Sequence, residues 1–258
     1  MQKQRRYIIS LAGFDPSAGA GILADIKTAE QLGVYGLGVC TALTMQTEDR
    51  FYKVRWIETE EIIAQLQLLL EKYPVEFMKI GIVESLDELN TILHYLHSHF
   101  PHVKIIWDPI INASAGFEFH HNYKTEEFIN CCKKVYLVTP NAEEAKAWLK
   151  NEDALAATTS LQQFTNVYLK SYPSEDGKIT DVLLHGNQRW NFISPELNGF
   201  RKHGSGCVLS SAITALLAQG HDLKNSCGQA KAYTFEFLMS TIDLLGEHRL
   251  IKLLSAYA

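Results

Sequence analysis

Short apolar runs alternate along the chain with longer stretches in which apolar residues recur every three or four positions. The first pattern suits buried strands and the second amphipathic helices. Residues 7–11, 37–43, 77–80, 103–107 and 135–139 read as strands. Between them, 21–32, 60–72 and 85–99 read as helices. The clearest is 60–72, with Ile62, Ile63, Leu66, Leu69 and Leu70 at helical spacing and Thr59 placed to cap it. Ser85 is placed to cap the next, with Glu88 three residues on to close a capping box and Pro101 just past its end. A further helix opens at 141–149. Three strands at 167–170, 181–184 and 189–193 then precede helices at 206–219 and 223–244, the first stopped by Gly220.

This alternation predicts an α/β fold, a largely parallel central sheet with helices on both faces. In such sheets ligands bind beyond the carboxyl ends of the strands. The chain has no internal repeat and no low-complexity linker. Residues 171–178, with Pro173 and Gly177, read as a polar hairpin-like loop, so 1–258 is expected to form one domain.

Composition narrows the function classes. With 258 residues, 47% hydrophobic and 21% charged, the chain reads as a soluble globular protein with a sizeable core. A net charge of −5 argues against a general nucleic-acid or anionic-membrane binder. The basic Lys3-Gln4-Arg5-Arg6 is short and reads as a solvated lead-in to the first strand. There is no apolar run long enough to span a membrane and no signal-peptide pattern. Cys40, Cys131, Cys132, Cys207 and Cys227 include no C-x-x-C pair, and their odd number fits no closed disulfide framework. Cys131 and Cys132 lack the spaced Cys/His partners of a zinc site. A reducing cytoplasm is the expected setting.

The chemistry concentrates in a few places. His203-Gly204-Ser205-Gly206-Cys207 precedes an apolar, helix-compatible run. Such a turn aims several backbone N–H groups at one point, and the helix start adds partial positive charge, which together make an anion hole suited to phosphate. The same field is expected to lower the pKa of Cys207 and favour a thiolate. The plainer reading is a glycine-rich turn before a core helix, with Cys207 as a small buried hydrophobe. The first strand-to-helix turn, Gly13 to Gly21, has neither G-K-[ST] nor G-x-G-x-x-G. Its glycines still let backbone pack close to a ligand. Asp108 ends a strand before Pro109, and Asn141 and Glu144 follow Thr139-Pro140 into a helix. Asp108 and Glu144 together offer oxygen donors for a hydrated Mg²⁺. Taken singly, Glu144 is a favourable charge at a helix start and Asp108 a turn acid.

In order along the chain, the stretch Asp15-Pro16-Ser17-Ala18-Gly19-Ala20-Gly21-Ile22-Leu23-Ala24-Asp25-Ile26-Lys27-Thr28 comes first, then Gly33-Val34-Tyr35-Gly36 and Thr41-Ala42-Leu43-Thr44-Met45-Gln46-Thr47. Lys79-Ile80-Gly81, Trp107-Asp108-Pro109, Thr139-Pro140-Asn141 with Glu144, and His203-Gly204-Ser205-Gly206-Cys207 follow. This series resembles the hydroxymethylpyrimidine and phosphomethylpyrimidine kinases of thiamine biosynthesis, and it covers nearly the whole chain. The resemblance implies a ribokinase-like fold, ATP and Mg²⁺ as cofactors, a small pyrimidine substrate and a homodimer. It implies phosphorylation of the hydroxymethyl group of 4-amino-5-hydroxymethyl-2-methylpyrimidine, and then of the monophosphate.

It also implies roles at matching positions. Gln46 matches the residue that hydrogen-bonds the aminopyrimidine, a task suited to an amide because it both donates and accepts. Gly13, Asp15, Ala18 and Asp25 fall around the same pocket. Asp108 and Glu144 match positions near Mg-ATP, while Asn141 and Lys170 fall on the nucleotide side. Gly204, Ser205 and Gly206 match the anion hole. Cys207 stands where many ribokinase-like sugar kinases carry an aspartate base, and cysteine there is typical of the pyrimidine kinases and of a related group of pyridoxal kinases.

The chain departs from the family pattern at several points. Ser171-Tyr172 replaces two glycines common after the lysine, Phe14 a small residue, Leu23 a glutamine and Ile82 a methionine at the pocket wall. Ser17-Ala18 stands for Ser-Gly, and Arg201 and Lys202 precede His203 where uncharged residues are usual. These changes bear on the substrate more than on phosphoryl transfer. They leave open a pyridoxal kinase of the same fold, and a catalytically weak ligand-binding or sensing homologue.

Overall fold

The computed structural model describes residues 5–112, 116–117, 119, 124–174, 178–197 and 199–249. Strands are β1 (Tyr7–Phe14), β2 (Tyr35–Gln46), β3 (Phe51–Trp56), β4 (Phe77–Ile80), β5 (Lys104–Trp107), β6 (Leu137–Val138), β7 (Asn166–Ser174), β8 (Lys178–His185) and β9 (Gln188–Pro195). Helices are α1 (Gly21–Gln31), α2 (Thr59–Lys72), α3 (Leu86–His99), α4 (Thr125–Cys132), α5 (Ala142–Leu149), α6 (Ala154–Leu161), α7 (Ser205–Ala218) and α8 (Leu223–Met239). The strands form one sheet in the order β3-β2-β1-β4-β5-β6-β7-β8-β9. The middle, from β2 to β7, is parallel, and β3, β8 and β9 add antiparallel at the two ends.

The period of two along each strand divides the core. Ile9, Leu11, Met78, Ile80, Ile105 and Trp107 face a cluster with residues of α2 to α6. Ile8, Phe77 and Ile106 face the opposite cluster, built on α7 and α8 with Ala29 of α1. One step further along that second face the row changes character. Ser10, Lys79 and Asp108 replace the apolar side chains, each at most 1% exposed. The start of α7 roofs this polar row, and the site is built there.

Several expected elements shift. The strands at 7–11 and 37–43 run on to Phe14 and Gln46: β1 keeps its parallel pairing with β2 as far as Phe14, and β2 is carried on to Gln46 by antiparallel pairing with β3. The 135–139 strand shrinks to Leu137–Val138. Three unexpected elements appear: β3, α4 and α6. Thr59 does not cap α2; Glu58 holds the cap position without a side-chain bond, and the Thr59 hydroxyl donates to Glu88 Oε1 at 3.4 Å. Ser85 does cap α3, accepting Glu88 N–H at 3.1 Å, but the box stays open. The Glu88 carboxylate instead accepts the Glu84 N–H at 2.7 Å. A closed box forms at α5, where Asn141 and Glu144 exchange bonds of 2.8 Å.

The last helix stops at Met239, short of 244. The following residues are drawn toward the site instead. The Lys202 ammonium donates to the carbonyls of Thr241 and Asp243 at 2.8 and 2.6 Å, and His203 N–H donates to Leu244 O at 2.9 Å. Lys202, unusual beside the family pattern, is thus a buried tie for this segment. Of the expected 171–178 loop, 171–174 continue β7, Lys178 opens β8, and 175–177 lie outside the described residues. Lys3 and Gln4 of the basic lead-in lie outside them too.

Candidate active site

Two turns close over the carboxyl ends of the strands. Between β1 and α1, Asp15 folds back on its own loop. Its carboxylate accepts the Ser17 N–H and the Ala20 N–H, each at 2.9 Å, along with the Ser17 hydroxyl. The fourth donor is His203 Nε2, at 2.9 Å from Asp15 Oδ2. Burial pushes the Asp15 carboxyl upward, but His203 and the Ser17 bonds outweigh it and hold it below the ordinary range. Asp15 therefore links the first turn to the second. The second turn begins at Gly204, which has φ +72 and lies so close to the first that a Cβ would stand 2.1 Å from Gly19 O. Only glycine fits both demands. Ser205, Gly206 and Cys207 then start α7, with their N–H groups at the helix opening.

Beneath that opening lies a buried charge cluster. Lys170 donates to Asp108 Oδ1 at 2.6 Å and stands 3.9 Å from Glu144 Oε2. Asp108 also accepts from Thr139 at 3.1 Å and Ser210 at 3.2 Å. Burial pushes Asp108 up, but the charges of Lys170 and Lys79 outweigh it and hold the carboxyl below its usual range. Glu144 has less compensation. Burial and the neighbouring Asp108 charge push it up to about 7 against the pull of Lys170. A cavity of about 590 Å³ opens on these groups and extends to Gln46 on one side and to Asp181, Lys231 and Thr234 on the other.

Most of the expected site residues meet in this cavity. Gly13, Asp15, Gln46, Asp108, Asn141, Glu144, Lys170 and Gly204 to Cys207 all line it. Gln46 Nε2 donates to the Thr44 hydroxyl at 2.8 Å, while its Oε1 is buried without a partner among the described residues. Ala18 and Asp25 do not line the cavity. Ala18 sits at φ +58 and turns its carbonyl to the Lys27 ammonium at 3.0 Å. Asp25 is consumed below the site: it accepts Lys79 on both oxygens at 2.8 and 2.7 Å, and the hydroxyls of Ser10 and Ser211 at 2.5 Å each.

The expectation for the Cys207 thiol is reversed. Burial pushes it above its ordinary value. The positive charge of Lys79 and the Gly21 N–H pull the other way and do not overcome burial and the charges of Asp25 and Asp108. A helix start favours a thiolate only where desolvation does not dominate. Lys79 itself belonged to a matched motif but carried no expected role. Its signal was a charged residue inside the apolar run Phe77-Met78-Lys79-Ile80, a placement that requires a buried counter-charge. Asp181 and Lys231 were missed because nothing in the local sequence marks a pairing across fifty positions.

Among the described residues, no group of three or more His, Cys, Asp or Glu side chains is arranged to hold a metal ion. The site nevertheless fits a hydrated Mg²⁺. That ion needs only one or two carboxylates and takes water and phosphate for the rest. Glu144, destabilised as an anion by burial beside Asp108, is the kind of group an added cation would satisfy. No helix among the described residues is long and apolar enough to cross a membrane.

A parallel sheet with a glycine-rich turn at a helix start, above buried carboxylates and a lysine, is an arrangement suited to a small-molecule phosphotransferase. The comparisons place it more closely. Residues 15–251 match the family model described as phosphomethylpyrimidine kinase, and the chain belongs to that family. It is 31% identical over 247 residues to the hydroxymethylpyrimidine/phosphomethylpyrimidine kinase of Aquifex aeolicus, covering 92% of this chain and 95% of that one. It is 32% identical over 234 residues to a bifunctional thiamine biosynthesis protein of Methanocaldococcus jannaschii, covering 88% of this chain but only 51% of that protein. Among solved structures, the phosphomethylpyrimidine kinase of Clostridium difficile 630 superposes with a TM-score of 0.75 at 28% identity, over 90% of this chain and 99% of that one. A Staphylococcus aureus pyridoxal kinase in complex with ADP gives a TM-score of 0.82 at 23% identity, over 96% and 94%. The fold is ribokinase-like, and the chain is a kinase.

Proposed function

We propose that this kinase transfers the γ-phosphoryl group of ATP to the hydroxymethyl group of 4-amino-5-hydroxymethyl-2-methylpyrimidine, and then to the resulting monophosphate, in thiamine biosynthesis. The observation that carries the reading is the sharing of one cavity by Gln46, with its unpartnered buried acceptor, and the Asp108–Lys170–Glu144 cluster under the Gly204–Gly206 turn. Gln46 Oε1 is suited to accept from the 4-amino group of the ring. An unsatisfied buried acceptor favours a ligand that brings a donor to it. Gly13 lets Ile82 pack close beside it in the cavity wall, since a Cβ there would lie 2.5 Å from Ile82 Cδ1.

Phosphoryl transfer depends on alignment and charge neutralisation more than on covalent help. The N–H groups of Ser205, Gly206 and Cys207 are placed to hold the negative charge of the transferring group. Lys170 supplies a cation on the nucleotide side, where Asn141 opens α5. Asp108 and Glu144 would hold Mg²⁺, which would supply positive charge against the phosphates. Cys207, protonated at neutral pH in the ligand-free site, orients the attacking hydroxyl. It takes the hydroxyl proton only from its thiolate form, which Lys79 and the Gly21 N–H favour. The reading includes one kinase domain, a cytoplasmic setting and a homodimer.

Pyridoxal, also a flat heteroaromatic ring with a hydroxymethyl group, is the nearest competitor. One assay decides between them: ATP turnover against the hydroxymethylpyrimidine, its monophosphate, pyridoxal and a simple sugar. The expected result is highest kcat/KM on the two pyrimidines. A preference for pyridoxal overturns the substrate assignment. Nucleotide or ring binding with no turnover of any compound makes the protein a sensing homologue.

A further inference from the structure

Lys170 enters the charge cluster from an irregular piece of backbone. Ser171, the next residue, has φ +53, in the left-handed region that favours glycine. The β7–β8 ladder loses register between Leu169 and Tyr172, so the bulge falls on Lys170 and Ser171. A bulge of this kind re-aims a side chain. Here the re-aimed side chain is Lys170, whose ammonium meets Asp108 and approaches Glu144.

The bulge is held from both sides. On the β6 side, Lys170 N–H donates to Pro140 O at 2.8 Å. On the β8 side the holder is Asp181, which is 2% exposed. Its Oδ1 accepts the Ser171 N–H at 2.8 Å and its Oδ2 accepts the Tyr168 hydroxyl at 3.0 Å. The Lys231 ammonium, 3.0 Å from Oδ1, balances its charge. A buried carboxylate with its own cation does not compete with Asp108 for Lys170.

We propose that Asp181 is a positioning residue for phosphoryl transfer: by accepting the Ser171 N–H it keeps that residue left-handed and so fixes the direction of Lys170. Serine at a position that suits glycine needs such an external hold, and Asp181 provides it across the sheet. The activity part of this inference rests on the kinase reading above.

The test is a cycle of variants. Asp181→Ala is expected to lower kcat/KM for ATP at least ~10-fold, since small misplacements of a positioned group cost that much or more. KM for the pyrimidine should stay within ~3-fold, because Gln46 and its hydrogen bonds are untouched. The loss from Asp181→Ala should shrink below ~3-fold in the Ser171→Gly background, where the left-handed conformation needs no hold. A loss of equal size in both backgrounds overturns the proposal. Should Asp181→Ala fail to fold, Ser171→Val decides. That position is exposed, yet a β-branched residue resists positive φ. The expected result is the same fall in kcat/KM for ATP, and a wild-type value overturns the proposal. Asp181→Asn keeps an acceptor for the Ser171 N–H and should lose less than Asp181→Ala. Hydrogen exchange at the Ser171 amide separates this inference from the kinase reading. Its protection should fall at least ~10-fold in the Asp181→Ala protein, and the residue 171 amide of the Ser171→Val protein should lose protection to the same extent, whatever the substrate proves to be. Unchanged protection overturns the inference even if the protein is a kinase, and a wild-type protein inert toward every substrate overturns only the kinase reading.

Discussion

Lys79 and Asp25 meet face to face beneath the candidate active site, with Nζ 2.8 and 2.7 Å from the two carboxylate oxygens and both side chains fully buried. The pair joins β4 to α1, and Ser211 ties it to the second turn of α7. Burial alone would discourage the Lys79 cation, but the carboxylates of Asp25 and Asp108 outweigh burial and raise its pKa. Asp25 is a neighbour of the site and a support for it.

Breaking this pair should therefore appear first as instability. Asp25→Asn and Lys79→Met are each expected to cost ~3–5 kcal/mol, the range for removing one partner of a buried ion pair. The double variant Asp25→Leu/Lys79→Met should cost less than the sum of the single changes, because neither charge is left unpaired. Urea denaturation measures both. A stable Asp25→Asn protein with a raised pyrimidine KM would return Asp25 to the substrate pocket.

Gln46→Leu removes the unpartnered acceptor and keeps the approximate volume. KM for the hydroxymethylpyrimidine should rise by at least ~10-fold, in line with ~1–3 kcal/mol for leaving a ligand donor unpaired. Steady-state kinetics at saturating ATP check this, and an unchanged KM removes Gln46 from ring recognition.

The Cys207 thiol has two separable expectations. Cys207→Ala and Cys207→Ser should fold and bind ligands while losing about 10²–10⁴ in kcat, the range for general acid–base groups. In the ligand-free protein, iodoacetamide should label Cys207 slowly near neutrality and faster with rising pH, because burial raises the thiol above its ordinary value. Rapid labelling at neutral pH would mean the thiolate wins after all. An alanine variant with wild-type turnover, where chemistry limits the rate, would leave catalysis to the turn and the metal.

Glu144 makes a signed prediction about pH. Its carboxyl stands at about 7 in the folded, metal-free protein and in the ordinary carboxylate range when unfolded. Between those values the folded state holds a proton that the unfolded chain has released. The contribution of Glu144 to stability is thus largest at acid pH and falls as pH rises through 7. Glu144→Gln should flatten this part of the profile, read by denaturation in chelator across that window. Parallel profiles for the two proteins would show that Glu144 is ionised throughout. In the same variant Mg²⁺ should bind more weakly and kcat should fall, with pyrimidine binding in the absence of nucleotide intact by calorimetry.

The sheet was legible where a short run was mostly apolar. Phe77–Ile80 came out with its true ends because both its faces are buried. β3 was not legible, since Phe51–Trp56 mixes exposed and half-buried residues without regular alternation and gains its place only by pairing with β2. α4 and α6, of eight residues each, are too short to show a helical period, whereas α5, equally short, is marked by Thr139-Pro140-Asn141 at its start. The turn at the start of α7 was legible because glycines and a hydroxyl before a long apolar run mark a helix opening whatever surrounds them. The state of Cys207 was not, because local sequence announces the helix start but not the depth of burial. Asp25 was misplaced for the same reason: its partners, Ser10, Lys79 and Ser211, come from three other elements.

The close contact of Gly204 with Gly19, together with the Asp15–His203 bond, also bears on how ring preference can change in this scaffold. The β1–α1 loop and the turn that opens α7 are a single interlocked part. Remodelling residues 15–20 to admit a different heterocycle is therefore expected to shift the α7 turn with it. Edits at Ile82 and Phe119, which line the same cavity but belong to neither loop, are expected to leave that part in place and so to change the ring accepted without losing the transfer step.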